Sequence, residues 1–445
     1  MEESALTPRT PGYKNKRRNI RVVYGLFVLA IISFVLLTFR LFTDTETTSV
    51  WTAKVTSYLS RAPGAMNSPP HLLPETALEE ILARGAPILG HDTGCSRGKS
   101  ATCDWMAKVP DHTKLVHMNI PGTHDTSTGN YSDARQAELI RYTGPIPTAK
   151  TFRCQERSIF QMLNDGIRVF DLRYAYNPGN DTIGFYHSLA LLAPTTTIVD
   201  VLYGYYSWLE KHPTETVLLS FNHEGGSRMI EDEKLQRMIL DLFSKATQDD
   251  TSLNRLKHKF WVQKRGELGT LGESRGKIIL FQRFSYGKLS PPPDPTTLIG
   301  LDLGADRWTD NGDDIHLVYN ANTNATAFIE DRYSITLAEG IPPSVDAYVT
   351  AKFDAITAHI EKATLPDSET ADQLFWSFTS AAVLQDPTSN LVMYPVTYAM
   401  GDESTPGINK RLLPWLKARK GKRFGIIMMD FYDAEPGLVE AVLGL

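Results

Sequence analysis

The chain has 445 residues, of which 42% are hydrophobic and 22% are charged, and its formal net charge is −5 at pH 7. This length and composition are ordinary for a globular protein and leave room for one large domain with appendages. The negative balance gives no electrostatic basis for binding nucleic acid, so no nucleic-acid partner is predicted.

The amino-terminal segment combines a basic tail with a long apolar run. Residues 1–19 are polar and basic, and residues 22–39 are uncharged and apolar, a stretch of about 27 Å as a helix. Positive charge before the run predicts a cytoplasmic amino terminus. We therefore expect a cytoplasmic tail over 1–19, a transmembrane anchor over 20–43, and a type II membrane protein whose remainder lies in the secretory lumen or outside the cell. The alternative is a cleaved signal peptide and a secreted protein.

The next segment is rich in Ser, Thr and Pro, which predicts a stalk over 44–87 and a folded domain over 88–445. The folded part has features that fit an oxidising compartment. Cys95 and Cys103 lie close enough in sequence for a local disulfide, which leaves Cys154 as a buried free thiol. Three sequons predict glycosylation, at Asn130, Asn180 and Asn324.

Three apolar stretches, each typical of a short strand, end in side chains suited to acid–base and phosphate chemistry. The stretches are PGTHD at 121–125, GIRVFDLR at 166–173 and IGFYH at 183–187, and the side chains are His124, Asp125, Asp171, Arg173 and His187. Asp171 and Arg173 point the same way because strand side chains alternate. Two histidines suit a phosphodiester reaction, because one can deprotonate the attacking hydroxyl while the other protonates the leaving oxygen. A guanidinium neutralises charge on the phosphoryl oxygens.

The rest of the chain alternates helix-like and strand-like stretches. Helical apolar spacing occurs at 197–211, 231–246 and 346–363, and buried strands are predicted at 216–221, 277–282, 375–380 and 425–431. Such alternation is typical of an α/β protein with a parallel sheet or barrel.

In combination, PGTHD and GIRVFDLR resemble the phosphatidylinositol-specific phospholipase C X-domain family, and the resemblance extends from about Trp105 to the carboxyl terminus. The family folds as a distorted TIM-type (β/α) barrel, so the resemblance implies this fold, with chemistry at one rim of strand ends. Animal-type members bind calcium through groups at these strand ends. Arg173 would take the place and charge of that metal, so the chain is similar to the bacterial, metal-independent branch, and no metal or other cofactor is expected.

The resemblance also implies residue roles. His124 is the general base, oriented by an Asp on the last strand, and His187, with Asp171, is the general acid. Arg173 stabilises the transition state, and Asp125 steers the proton or the arginine. The predicted catalytic set is His124, Asp125, Asp171, Arg173, His187 and Asp430.

Further matches to the bacterial pattern concern the headgroup. An Arg at the end of a Gly-Lys-Ile strand and an Asp-x-Tyr element bind the inositol ring in that pattern. A substrate-binding Lys on the third strand is replaced here by an Asn-His pair, which makes the headgroup contacts different. The predicted substrate-binding residues are Asn222, His223, Arg283, Asp331 and Tyr333.

The implied reaction is attack of the inositol 2-hydroxyl on a phosphatidylinositol-type diester, which gives a cyclic inositol phosphate and a lipid alcohol. The expected partners are a phospholipid or inositol-containing diester and, through the anchor, the membrane. Two other classes stay open. One is a phosphodiesterase of another diester, such as a glycosyl-inositol anchor, a sphingolipid or a non-lipid compound. The other is a catalytically silent, membrane-anchored binding barrel.

Overall fold

The fold is described from a computed structural model. The structure describes residues 73–95, 101–365 and 369–445. The predicted tail at 1–19, the predicted anchor at 20–43 and most of the predicted stalk lie outside these residues. Within the described ranges, no helix has both the length and the apolar composition needed to cross a membrane.

The strands are short, and most residues of those in the main sheet are buried, while β11 and β12 form a separate two-stranded sheet. The strands in chain order are β1 (Ile120–Thr123), β2 (Val169–Tyr176), β3 (Ile183–His187), β4 (Ala190–Leu191), β5 (Val217–His223), β6 (Ile278–Arg283), β7 (Leu301–Asp302), β8 (Ile315–Asn320), β9 (Ala325–Glu330), β10 (Leu374–Phe378), β11 (Leu384–Gln385), β12 (Val392–Met393) and β13 (Ile426–Met429).

The main sheet runs in the order β7-β6-β5-β2-β1-β13-β10-β9-β8. Its neighbours pair in parallel from β7 to β9, while β8 joins β9 as an antiparallel hairpin and β3 pairs antiparallel with β2. The path ends at β7 and β8, and the result is a nearly closed α/β barrel. The predicted distorted TIM-type barrel is therefore confirmed for the described part of the chain.

Helices connect the strands and cover the outside of the sheet. They are α1 (Glu75–Leu89), α2 (Asp133–Thr143), α3 (Ile159–Asp165), α4 (Ile198–Lys211), α5 (Glu233–Phe243), α6 (Ser252–Phe260), α7 (Leu271–Ser274), α8 (Val345–Thr364), α9 (Pro395–Met400), α10 (Ile408–Lys417) and α11 (Leu438–Leu443). The three helices predicted from apolar spacing correspond to α4, α5 and α8. The side chains of Thr197 and Ser344 accept hydrogen bonds from backbone N–H groups of the first turns of α4 and α8.

Helix α1 lies within the segment predicted as a stalk, yet it packs against the barrel. Leu89 is fully buried, and a side chain at Gly204 of α4 would overlap it. Arg84 donates to Asp200 of α4 at 2.9 Å. The folded unit thus begins before residue 88, because α1 contributes apolar contacts to the outer helical layer.

Several features predicted outside the catalytic motifs can be located. Cys95 and Cys103 are joined in a disulfide, and Cys154 is a buried free thiol. The three sequon asparagines, Asn130, Asn180 and Asn324, are exposed. Their glycosylation stays a prediction.

The motif at 166–173 has a structural component as well as a catalytic one. Arg168 is fully buried, and its guanidinium lies 2.8 Å from the equally buried carboxylate of Glu215. It also donates to the backbone carbonyls of Leu163 and Ile167 at 2.8 Å. Because a buried charge needs full pairing, this network fixes the start of β2 and hence the position of the functional residues further along the strand.

Candidate active site

The predicted catalytic side chains converge at one rim of the barrel. His124 directly follows β1, Asp430 directly follows β13, and His187 ends β3. Asp171 and Arg173 lie on β2. Because parallel strands end at the same edge, residues distant in sequence meet there. At Gly122, β1 approaches β2 so closely that an added Cβ would lie 2.9 Å from the Val169 Cβ.

His124 lies between the carboxylate of Asp430, which orients its ring, and the guanidinium of Arg173. Its Nδ1 lies 3.0 Å from the Asp430 Oδ1, which as a carboxylate accepts the Nδ1–H. Its Nε2 is therefore the nitrogen free to take a proton, and it lies 2.8 Å from the Arg173 Nη2. Burial disfavours charge on the ring, but the adjacent carboxylates of Asp125 and Asp430 outweigh this effect and raise the pKa of His124 well above its usual value.

Asp430 is itself fixed by neighbours that sequence reasoning missed. The amide of Gln155, which is fully buried, donates to the backbone carbonyls of His124 and Met429 at 2.7 and 2.8 Å. Asn409 donates to the backbone carbonyl of Asp430 at 2.9 Å. Burial raises the pKa of Asp430, although the charge of His124 opposes this shift. Gln155 lies in the connection between β1 and β2, and Asn409 lies in the first turn of α10, where no local pattern marks either as part of the site.

Asp125 links the two histidines and the arginine. Its Oδ2 lies 3.0 Å from the His124 Nε2 and 3.1 Å from the His187 Nε2, and its Oδ1 lies 3.0 Å from the Arg173 Nε. Burial would raise the pKa of Asp125, but the three neighbouring positive groups outweigh it and hold the pKa well below its usual range. Its backbone has φ = 39°, a left-handed conformation that Asp tolerates better than most residues.

His187 is oriented by a backbone carbonyl rather than by a carboxylate. Its Nδ1 lies 2.6 Å from the Phe152 carbonyl oxygen, which can only accept, so Nδ1 carries a hydrogen. Its Nε2 faces the carboxylate of Asp125, an arrangement that also favours a hydrogen on Nε2. The Phe152 carbonyl thus fixes the orientation of the ring and leaves Nε2 directed at Asp125. Its centroid lies 6.2 Å from that of His124.

The guanidinium of Arg173 lies among three carboxylates. Its nearest contacts are 3.0 Å to Asp125, 3.3 Å to Asp171 and 3.5 Å to Glu224. Burial disfavours its charge, but these carboxylates raise the pKa of Arg173 well above its usual value. Arg173 therefore stays charged and supplies a fixed positive centre. Glu224 was not assigned from the sequence. It directly follows β5, in the same way that His124 and Asp430 directly follow β1 and β13.

Asp171 connects the guanidinium of Arg173 to the residues predicted to bind the headgroup. It is fully buried and accepts from the backbone N–H of Asp125 at 3.2 Å and from Arg283 at 3.3 Å. In the parallel register, Arg173, Asn222 and Arg283 stand side by side on β2, β5 and β6. Asn222 therefore lies between the two guanidinium groups, on the same face of the sheet.

The other headgroup candidates adjoin Arg283. Its guanidinium carbon lies 4.1 Å from the centre of the Trp308 ring, and its Nη2 lies 3.9 Å from the Asp331 Oδ2. Burial lowers the pKa of Arg283. The Tyr333 hydroxyl donates to Asp310 at 2.5 Å, and this hydrogen bond raises the pKa of Tyr333 to about 12.

The structure does not bring His223 into the site. It pairs in register with Tyr174, one residue beyond Arg173, so strand alternation turns it away from Asn222 and Arg173. Its ring packs edge-on against Tyr174, and its Nδ1 lies 3.6 Å from Glu231. Burial lowers the pKa of His223. The structure therefore does not bring His223 together with the other predicted substrate-binding residues, and its role in binding substrate stays a prediction.

Two groups of side chains in the described ranges come close enough together to hold a metal ion. In one, Cys95 and Cys103 already form the disulfide. In the other, His124 and Asp125 adjoin Cys154, whose thiol has its pKa raised by burial, and the ring nitrogens of His124 are committed to Asp430, Asp125 and Arg173. We assign no metal to either group, since neither offers free thiolate or imidazole ligands.

Several known proteins are similar to this chain in sequence, and they include bacterial phosphatidylinositol phosphodiesterases. No protein-family model matches the chain. A 1-phosphatidylinositol phosphodiesterase of Listeria monocytogenes is 31% identical over 182 residues, which is 40% of this chain and 48% of that protein. One from Staphylococcus aureus is 24% identical over 332 residues, 74% of this chain and 88% of that protein. PI-PLC X domain-containing protein 3 of Danio rerio is 29% identical over 33% of this chain and 51% of its own length.

The chain thus spans about half the length of the Listeria and zebrafish relatives and most of the staphylococcal one. In structure, phosphatidylinositol-specific phospholipase C from S. aureus superposes with a TM-score of 0.56 at 21% identity, over 77% of this chain and 98% of that one. This likeness confirms the barrel fold. In sequence the chain is similar to 1-phosphatidylinositol phosphodiesterases and to a PI-PLC X domain-containing protein, the family that its motifs resemble.

Proposed function

We propose that this protein cleaves phosphatidylinositol-type lipids by attack of the inositol 2-hydroxyl on the phosphodiester. The products are a cyclic inositol phosphate and a lipid alcohol. The observation that carries the proposal is the arrangement of two histidines on one carboxylate, Asp125, beside a guanidinium that three carboxylates keep charged. The names of the sequence relatives, which are phosphatidylinositol phosphodiesterases, support it.

His124 acts as the general base. Because Asp430 accepts the Nδ1–H, the lone pair stays on Nε2, which takes the proton of the attacking hydroxyl. The imidazolium that forms can donate Nε2–H to Asp125, whose Oδ2 already lies 3.0 Å away. Asp430 stabilises the same charge from the other side, as a carboxylate does behind a catalytic histidine.

His187 acts as the general acid. Its Nδ1–H is tied to the Phe152 carbonyl, so the proton that it gives to the leaving oxygen comes from Nε2. Arg173 neutralises the charge that gathers on the phosphoryl oxygens, and its contacts with Asp125 and Asp171 hold it in place before substrate arrives. Arg283, Asp331, Asn222 and Tyr333 bind the ring.

The roles of the two histidines can be separated with leaving groups. His124→Ala and His187→Ala should each lose roughly 10²- to 10⁴-fold in kcat on phosphatidylinositol. On an inositol diester with a very acidic leaving phenol, the His187 variant should recover much of its rate, because departure no longer needs a proton. The His124 variant should not recover. Equal recovery by both variants would refute the assigned roles, and wild-type protein inactive on all inositol diesters would favour the silent barrel.

We also propose that the barrel is presented at a membrane by the apolar run at 22–39 and is glycosylated. The basic residues before that run support a cytoplasmic amino terminus and a lumenal or extracellular barrel. The disulfide and the exposed sequons support an oxidising, secretory environment.

A further inference from the structure

The connection between α2 and α3 lies against three parts of the chain that carry catalytic side chains. We call residues 152–155 the bridging segment. All of it except Arg153 is buried. Arg153 braces the segment by donating to the backbone carbonyls of Gln155 and Gly129 at 3.1 and 3.3 Å. The segment contacts the residues that follow β1, the residues that follow β13 and the end of β3, so it touches both members of the predicted acid–base pair.

One end of the bridging segment orients the predicted general acid. The Phe152 carbonyl oxygen accepts from the His187 Nδ1 at 2.6 Å, and the two rings pack edge-on with their centroids 6.0 Å apart. The Cys154 Sγ lies 3.9 Å from the same Nδ1. Burial raises the pKa of the Cys154 thiol, so this group stays neutral and packs against the imidazole without adding charge. The segment therefore fixes His187 through one hydrogen bond and two packing contacts.

The other end of the bridging segment orients the predicted general base. The Gln155 Nε2 donates to the backbone carbonyls of His124 and Met429 at 2.7 and 2.8 Å, and it lies 3.5 Å from the Asp430 Oδ1. Three oxygen atoms surround this nitrogen, so the amide must present its N–H donors here. One buried side chain therefore joins the backbone that carries His124 to the backbone that carries its orienting carboxylate.

The bridging segment also holds the two backbone turns that follow β1 and β13. Asp125 and Phe431 each have a left-handed backbone, with φ of 39° and 45°, which residues with a side chain adopt only at an energetic cost. The Phe431 N–H donates to the Cys154 carbonyl at 3.0 Å. The Cys154 N–H donates at 3.0 Å to the Thr128 hydroxyl, which itself donates to the Asp125 carbonyl at 2.8 Å. Both turns are thus tied to the same residue, which fixes one relative to the other.

We propose that the bridging segment sets the relative position of the general acid and the general base, with Gln155 as the positioning residue for the His124–Asp430 pair. This inference rests on the proposed function, because it concerns how the two histidines of that reaction are held. Their ring centroids lie 6.2 Å apart, and each histidine is fixed by a contact from the same four consecutive residues. None of the contacts above involves a residue predicted to bind the inositol ring. Loss of the Gln155 amide should therefore slow the chemical step without weakening substrate binding.

The first test is Gln155→Met, which keeps the length of the side chain but removes its hydrogen-bond donors. Loss of two hydrogen bonds should lower kcat on phosphatidylinositol by roughly 10- to 100-fold, while KM stays within about threefold of the wild-type value. The loss should persist on an inositol diester with a very acidic leaving phenol, because the attacking hydroxyl must still be deprotonated. Recovery on that substrate would place the effect on the general acid and overturn the assignment of Gln155 to the base.

The matched control is Gln236→Met. Gln236 is a buried glutamine on α5 whose amide donates to Glu231 at 2.8 Å and accepts from the Lys288 N–H at 2.7 Å. This variant should keep the wild-type kcat and KM, and thermal unfolding should show which variants fold. Thr128→Val is a second test, which also decides if Gln155→Met does not fold. It removes only the hydroxyl that links Cys154 to the Asp125 carbonyl, and it should lower kcat by about 3- to 10-fold at unchanged KM. Wild-type kcat in either folded variant of the site would overturn the proposal.

Titration of His124, followed by NMR of protein labelled with ¹³C-histidine and assigned with His124→Ala, separates this inference from the proposed function. The titratable and charged groups that surround the His124 ring are Asp125, Asp430, Arg173, Cys154 and His187. Without the Gln155 amide, the Asp430 carboxylate is no longer held against the imidazole, so the pKa of His124 should fall in Gln155→Met and stay unchanged in Gln236→Met. If the wild-type protein fails to cleave phosphatidylinositol, the proposed function fails, and this titration still decides the inference. An unchanged or raised pKa of His124 in Gln155→Met would overturn it.

Discussion

Replacement of Asp430 by Asn tests the assignment of His124 as the base. Asp430 accepts from the His124 Nδ1 at 3.0 Å, and its side chain is almost completely buried. The substitution keeps the size of the side chain but removes its charge and lets an N–H₂ group face the ring. Asp430→Asn should therefore change both the pKa of His124 and the tautomer that the ring adopts.

The size of each effect follows from this contact. A hydrogen bond to a charged group contributes about 1.5–3 kcal/mol, and one pKa unit corresponds to about 1.4 kcal/mol. Asp430 is one of two carboxylates that raise the pKa of His124, so its loss should lower that pKa. An amide that donates to Nδ1 also forces the hydrogen onto Nε2, where a base needs a lone pair. A carboxylate-to-amide change behind a catalytic histidine costs on the order of 10⁴ in kcat.

The assay is the pH dependence of kcat/KM on phosphatidylinositol. Cleavage requires neutral His124 and protonated His187, so the wild-type profile should be bell-shaped. In Asp430→Asn, the limb governed by His124 should move to lower pH, because removal of a nearby negative charge makes the imidazolium less stable. The shift of the His124 limb is the diagnostic result, because Asp430 contacts the His124 ring directly, whereas the His187 ring is oriented by the Phe152 carbonyl.

Asp433→Asn is the matched control. Asp433 lies in the same connection after β13 but pairs with Arg157 at 3.1 Å instead of with a catalytic group. Its variant should keep the wild-type profile and rate. The reasoning is refuted if Asp430→Asn keeps the wild-type rate, if neither limb moves, or if the His124 limb moves to higher pH.

The remaining predictions concern the metal and the topology. Activity on phosphatidylinositol should survive excess EDTA. Arg173→Asp should abolish this metal-free activity, because a carboxylate would replace the fixed positive charge. Full calcium dependence of the wild type would contradict the role of Arg173. An N-glycosidase should increase the gel mobility of the protein from its native membrane, and Gln substitutions at the three sequons should remove that shift; an unglycosylated cytosolic protein would contradict the topology.

The catalytic set could be predicted because its members follow a simple rule. His124 and Asp430 directly follow the parallel strands β1 and β13, Asp171 and Arg173 lie within the neighbouring parallel strand β2, and His187 ends β3, the antiparallel partner of β2. The spacing of apolar residues along the chain is a local property, so it predicted α4, α5 and α8 and the central strands without knowledge of the fold. The β8–β9 hairpin was not predicted, and it carries the Asp331-to-Tyr333 element at its end.

The residues that the sequence did not reveal depend on non-local geometry. Gln155, Trp308 and Asp310 lie in connections, where no periodicity reports which way a side chain points. His223 was assigned together with Asn222, although adjacent residues on a strand face opposite sides, and its register opposite Tyr174 turns it away. The strand rule alone predicts that His223 and Asn222 face opposite sides. The contacts of Trp308 need the closed barrel, because Arg283 ends β6 and Asp331 directly follows β9.

Asp125 lets positive charge shift from one histidine to the other with little rearrangement of the site. One of its oxygens, Oδ2, lies 3.0 Å from the His124 Nε2 and 3.1 Å from the His187 Nε2. In the proposed reaction, His124 gains positive charge as His187 loses it. Positive charge therefore moves from one side of the same carboxylate oxygen to the other at nearly equal distance, and its attraction to Asp125 changes little. Since Arg173 holds the second oxygen at 3.0 Å, the carboxylate need not turn as the charge moves, which is the electrostatic preorganisation that lowers barriers in enclosed sites.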